Sequence, residues 1–209
     1  MIKNIIFDYD GTISKTNDIK TQAFANIFQE YGIDIINQVV NHHVNNQGMD
    51  RFQKFKFYHK EYLNRPLSND QLNKISKQFS KTIIEKVIEA PFVDVVYDFI
   101  KENYTNYNFY ISTATPQREM IEILKKKKIL YLFIEVYGSP SSKIDHIKEI
   151  IEKNIYKKYE TIFVGDSTDD YNSSLSSGIK FINVSKGKYL EYMNDKFYDM
   201  ESILKKFVK

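Results

Sequence analysis

The chain has 209 residues, with 30 lysines and arginines against 27 aspartates and glutamates, for a formal net charge of +3. That length suits one core domain with an insertion, and the near-even charge gives no mandate for nucleic acid. There is no cysteine, which excludes disulfides and thiolate metal sites and leaves hard oxygen ligands as the metal chemistry.

The first element is a short apolar run, Ile5-Ile6-Phe7, which stops abruptly at Asp8-Tyr9-Asp10-Gly11-Thr12. An apolar run ended by a turn signal reads as a buried strand. Ligands of open α/β sheets bind just beyond the carboxyl ends of such strands, so Asp8 and Asp10 are expected to share a site. The strand is followed by aspartates rather than a small-residue cleavage site, so it is not read as a signal peptide. No apolar run approaches the roughly 18 residues of a membrane span. A soluble, cytoplasmic protein with no membrane or nucleic-acid partner is expected.

Helical spacing follows from Asp18 to Glu30, through Ile19, Phe24, Ile27 and Phe28, and closes at Tyr31-Gly32. The stretch 37–50 is polar and rich in Asn and His, and reads as loop. An aromatic-rich helix is expected over 51–64, and Ser68-Asn69-Asp70 caps a long helix from Gln71 to about Glu89. Ala90-Pro91 breaks the pattern, and Phe92 to Glu102 is helical again.

Beyond Asn108, strands and helices alternate. The strands are read at 109–111, 133–137, 161–164 and 181–184, with helices at 117–128, from Lys143 to about Lys153, and up to Ser177. Such alternation predicts a parallel, doubly wound sheet. The expected division is a core of residues 1–15 and 88–209 with a helical cap inserted at 16–87. No internal repeat breaks this reading.

Polar residues cluster at four strand ends: Asp8 and Asp10, Ser112, Lys143, and then Asp166, Asp169 and Asp170. This set, in this order, resembles the haloacid dehalogenase-like superfamily of phosphohydrolases. The D-x-D-G-T motif stands as Asp8-Tyr9-Asp10-Gly11-Thr12. The Ser/Thr motif matches Ser112 within Ile111-Ser112-Thr113-Ala114-Thr115-Pro116-Gln117, with Thr113 and Thr115 as neighbouring candidates. The lysine is Lys143, behind Gly138-Ser139-Pro140-Ser141-Ser142, and the G-D-x-x-x-D motif is Gly165-Asp166-Ser167-Thr168-Asp169-Asp170. The resemblance covers essentially the whole chain and implies a Rossmann-like core with a helical cap of the family's first type.

The residue types suit phosphate chemistry. A carboxylate nucleophile splits a hard hydrolysis into two displacements through an acyl phosphate, and a hard divalent cation relieves its repulsion from the phosphate. The resemblance implies Mg2+ held by Asp8, Asp166 and the Asp10 carbonyl. It makes Asp8 the nucleophile and Asp10 the general acid and base. Crowding by Asp8, Asp166 and the substrate should raise the pKa of Asp10, with Mg2+ and Lys143 acting against it. Lys143 and Ser112 would stabilise the transferring phosphoryl group, and Asp170 would support the site from behind, a role Asp169 could share. Thr12, Thr113 and Arg51 complete the substrate-binding candidates. For Arg51 a surface arginine in a capping loop is the competing reading. His42-His43 reads as a solvent-exposed loop pair, and Lys125-Lys126-Lys127-Lys128 as a solvated helix end.

These readings imply an Mg2+-dependent phosphatase acting on a small phosphorylated metabolite, such as a sugar phosphate or phosphoglycolate, as a monomer or homodimer. A phosphotransferase of the β-phosphoglucomutase kind is the alternative within the family. A non-catalytic module that binds a phosphorylated ligand is the alternative outside it.

Overall fold

The computed structural model describes residues 2–184; the last part of the expected core, 185–209, lies outside the described residues. Five parallel strands form one sheet: β1 (Asn4–Phe7), β2 (Asn108–Pro116), β3 (Glu135–Ser139), β4 (Thr161–Gly165) and β5 (Lys180–Asn183). Their spatial order is β3-β2-β1-β4-β5, the doubly wound α/β arrangement expected of alternating strands and helices.

Alternating side chains make the two faces of the sheet. Ile5 and Phe7 join Phe109, Ile111, Ile162 and Val164 in one buried layer. Ile6 joins Tyr110, Phe163, Tyr137, Ile147 and Ile150 in the other. Strands buried on both faces are what a parallel sheet requires. In register, Phe7 lies beside Ile111 on one side and Val164 on the other. β1 and β4 therefore end within a residue of each other while β2 runs on to Pro116, so the residues just past β1 and β4 converge beside the last residues of β2.

Between β1 and Pro91 the chain is helical. α1 (Asn17–Ile27), α2 (Ile33–Asn45), α3 (Arg51–Phe57) and α4 (Asn69–Glu89) pack on one another, with a π-helical turn at Tyr58–Tyr62. Their centre is aromatic: Phe24, Phe28, Phe55, Tyr58 and Phe79 are buried and meet edge-on or tilted, except for Phe28 and Phe55, which stack. α5 (Asp94–Asn103), α6 (Gln117–Lys126), α7 (Lys143–Asn154) and α8 (Thr168–Ser177) belong to the sheet. None of the described helices is long and apolar enough to cross a membrane.

Three sequence readings need correction. The polar stretch read as loop is mostly α2. Its Ile36, Val39, Val40 and His43 recur at helical spacing, which the many Asn residues mask. His43 is consequently buried, and His42 stacks on Phe57 with ring centroids 4.4 Å apart. The strand read at 133–137 begins two residues later, because Leu130–Leu132 forms a 3-10 turn first. The lysine run is not wholly solvated: Lys127 Nζ donates to the carbonyls of Ile88 and Ala90 at the end of α4.

Candidate active site

Asp8 is the first residue past β1. Its backbone N–H donates to the Val164 carbonyl, which carries the sheet's register to the site. The turn that follows needs glycine at Gly11, whose φ is +78° and where a Cβ would lie 2.1 Å from Asp166 Oδ2. Asp166 is the first residue past β4, and Ser167 caps α8. The Ser167 hydroxyl accepts from the Asp170 N–H, while Asp170 Oδ2 accepts from the Ser167 N–H and hydroxyl. That capping box turns Asp170 inward. A second box, Ser142 with Asp145, starts α7 and puts Lys143 at its first helical position.

Carboxylate oxygens of Asp8, Asp166 and Asp170 lie within 4.8 Å of one another, all buried. Lys143 Nζ sits 3.2 Å from Asp8 Oδ1 and 2.5 Å from Asp170 Oδ1. Burial lowers the Lys143 pKa, but Asp170 and Asp8 outweigh it and hold the ammonium well above its usual range. Burial pushes the Asp8 carboxyl up despite Lys143. Burial and Asp170 raise Asp166 to about 6. A cluster short of positive charge, built wholly from carboxylate oxygens, fits a hard divalent cation. Asp166 is also oriented by Asn17 Nδ2 at 2.8 Å and the Thr12 hydroxyl at 3.4 Å.

Asp10 is set differently from the expectation. Its carboxylate accepts from the Thr16 hydroxyl at 2.6 Å, from the Thr115 hydroxyl at 3.1 Å, and from the Lys20 ammonium. Burial alone would raise its pKa, but Lys20 and these hydrogen bonds hold it below the ordinary value. Lys20 was missed in the sequence, although it stands four residues before the buried Phe24, on the inner stripe of α1.

Ser112 is not brought to the carboxylates. Its hydroxyl meets His146 Nδ1 of α7 at 2.9 Å, and successive strand residues face opposite ways. Thr113, whose hydroxyl accepts from the Thr115 N–H, borders the cavity mouth instead, beside Lys143 and Asp169. Thr12 is spent on Asp166. Arg51 is not free to grip an anion: its guanidinium is bidentate to Glu119 of α6 at 2.7 and 3.0 Å, hydrogen-bonds Ser80 and lies over the Phe79 ring. Asp169 is half-buried rather than solvated. The backbone at Gly48 comes so close that a Cβ would lie 2.2 Å from the Asp169 Cβ.

A cavity of about 40 Å³ lies between the sheet edge and the helical layer, bordered by Asp8, Asp10, Lys143 and Asp166 below and by Lys20, His43, Arg51 and Lys54 above. A second cavity of about 350 Å³ shares Gln47, Met49, Ala114, Lys143 and Ser167 with it.

A doubly wound sheet with this acidic cluster past its carboxyl edge describes an α/β enzyme of the hydrolase class. The family model for haloacid dehalogenase-like hydrolases matches residues 5–184, and the chain belongs to that family. It is 26% identical over 231 aligned positions to the pyrophosphatase PpaX of Bacillus mycoides, covering 97% of each. Among solved structures it is similar to β-phosphoglucomutase of Clostridium difficile, with a TM-score of 0.79, 15% identity and coverage of 100% and 99% of the two chains. A haloacid dehalogenase-like hydrolase of Streptococcus pneumoniae matches with a TM-score of 0.71, 23% identity and coverage of 99% and 98%. At these identities the structural likenesses speak for the fold alone.

Proposed function

We propose that the protein is an Mg2+-dependent phosphatase that hydrolyses a small phosphorylated molecule through an aspartyl-phosphate on Asp8. The observation that carries this reading is the position of Asp8: at a strand end, 3.2 Å from Lys143, in one buried site with Asp166 and Asp170. A phosphoryl group needs an in-line nucleophile and fixed positive charge around its oxygens, and little else. Asp8, Asp166 and the Asp10 carbonyl are the residues that would hold Mg2+, with Asp170 supporting them from behind, and its charge would let a carboxylate approach a phosphate.

An Asp8 oxygen attacks phosphorus, and the leaving oxygen departs on the opposite side, toward the helical layer. Lys143 neutralises charge on the transferring group, kept in place by Asp170, both of whose oxygens are engaged. Thr113 takes the donor role first expected of Ser112. Asp10, ionised at rest, takes up one proton as the anionic substrate arrives, gives it to the leaving oxygen, and regains one from the water that hydrolyses the aspartyl-phosphate, so the proton balance closes over the two steps. In its resting contacts Asp10 is held ionised by Lys20, the form that serves the second step. Residues 16–87 act as a cap that excludes bulk water from the reaction.

The pyrophosphatase relative adds a phosphoanhydride to the phosphomonoesters worth assay. The test is release of p-nitrophenol from p-nitrophenyl phosphate with Mg2+ and with excess chelator. Mg2+-dependent release, lost in Asp8→Asn, is expected. Release that survives full removal of metal would overturn the reading.

A further inference from the structure

Four cationic side chains border the cavity: Lys20, Arg51, Lys54 and Lys143. Three are neutralised within the protein, Lys20 by Asp10, Arg51 by Glu119, and Lys143 by Asp8 and Asp170. Lys54 is the exception. It is 1% exposed, yet no carboxylate among the described residues pairs with it. Asp50, Asp10 and Asp169 act on it only at longer range.

Among the described residues its ammonium hydrogen-bonds only His43 Nδ1, at 2.8 Å, and lies 5.5 Å from the centre of the Phe24 ring. An ammonium has three donors and no acceptor. With Lys54 charged, His43 Nδ1 accepts, which puts the ring proton on Nε2. That atom is also buried, and it has no partner among the described residues. Burial, with Lys54 beside it, keeps His43 neutral by pushing its pKa to about 2. The upper wall of the cavity thus holds a cation with two spare donors and an imidazole with one. Burying an unpaired ammonium is costly, and burial pulls the Lys54 pKa down to about 7. An anion in the cavity removes that cost.

We propose that Lys54, seated on His43, binds a second anionic group on the leaving-group side of the substrate, so that the enzyme selects phosphates whose leaving group is itself negatively charged. This deepens the phosphatase reading and rests on it. With Asp8 attacking from the sheet edge, an in-line leaving group points at the helical layer, where Lys54 stands on α3. Two chemistries satisfy the site: a carboxylate on a short acid, or a second phosphoryl group.

Three probes that cannot be hydrolysed at an ester bond test the proposal by calorimetry at fixed free Mg2+: methylphosphonate, phosphonoacetate and methylenediphosphonate. The wild type should bind one of the two-anion probes about tenfold or more tighter than methylphosphonate, as expected of a charge-assisted contact. Whichever probe shows the preference identifies carboxylate or phosphoryl. Lys54→Met should bring the ratio to within about twofold of unity, and Lys54→Arg should keep most of it. Lys54→Gln replaces Lys54→Met if that variant does not fold. Equal binding of all three probes by the wild type, or a preference that survives loss of the ammonium, would overturn the proposal. Absence of Mg2+-dependent phosphate release from phosphomonoesters and from pyrophosphate alike, with this ratio present, overturns only the phosphatase reading. Release without the ratio overturns only this inference.

Discussion

The Lys20 ammonium is ion-paired with the Asp10 carboxylate, and Thr16 and Thr115 close around the same group. Asp10 therefore rests below its ordinary pKa in spite of its burial. As a base, Asp10 works only when ionised, so the decay of the aspartyl-phosphate should fall away on the acid side at its pKa. Lys20→Met leaves burial without its counterweight and should move that acid limb to higher pH. Single-turnover decay of the phospho-enzyme across pH measures it. A limb that stays in place would detach Lys20 from the proton chemistry of Asp10.

Asp8→Asn should abolish turnover and leave the fold intact. The amide cannot attack phosphorus, while its removal relieves a crowded site in which burial, Asp170 and Asp166 already push the Asp8 carboxyl up. Circular dichroism and a melting temperature equal to or above wild type, with no p-nitrophenol release, is the expected pair of results. Wild-type turnover in a preparation free of other phosphatases would remove Asp8 from the mechanism.

Most of the sheet was legible because its strands are continuous apolar runs with turn residues behind them, as at Ile5-Ile6-Phe7-Asp8 and at Thr161 to Asp166. Asp8 and Asp166 of the acidic cluster were legible for the same reason, since each follows a strand end, whereas Asp170 stands in the first turn of α8 and was legible from the G-D-x-x-x-D spacing. The groups that come from the helical layer were not. Lys20 and Lys54 are lysines on the inner stripes of α1 and α3, beside Phe24 and Phe55. A lysine in an apolar stripe is the one signal available, and it is easily taken for a flanking surface charge in a chain rich in lysine. The exchange of Ser112 for Thr113 has a different cause: adjacent strand residues face opposite sides, and one residue of uncertainty in where the strand begins to count reverses the assignment. The Arg51–Glu119 pair spans 68 positions, and no local pattern foretells it.

That pair joins α3 to α6, with side chains only 4% and 10% exposed. Breaking one partner of a buried pair strands the other charge and costs roughly 3–5 kcal/mol. Arg51→Leu and Glu119→Leu should each lower stability by an amount in that range, and the double variant should recover much of it. Denaturant melts of the three variants provide the cycle. If Arg51 served the substrate directly, Glu119→Leu would leave KM unchanged; a rise in KM for both single variants is expected instead, because the pair positions the helical layer over the cavity.

The last prediction concerns Asp166 and the pH dependence of stability in the absence of metal. Burial and Asp170 raise its carboxyl from 3.8 to about 6. Between those values the folded protein holds a proton that the unfolded chain has lost, so stability falls as pH rises through the window. The contribution is fully present below about 4 and lost above about 6. A shift of about two units corresponds to about 3 kcal/mol at most. In excess chelator the melting temperature should therefore be higher at pH 5 than at pH 7.5, by a margin that shrinks in Asp166→Asn. Mg2+ should remove most of the loss at pH 7.5 in the wild type, because a cation held by Asp8 and Asp166 favours their ionised forms. Equal margins in wild type and Asp166→Asn, or no rise on adding Mg2+, would show that the Asp166 carboxyl carries neither the proton nor the metal assigned to it.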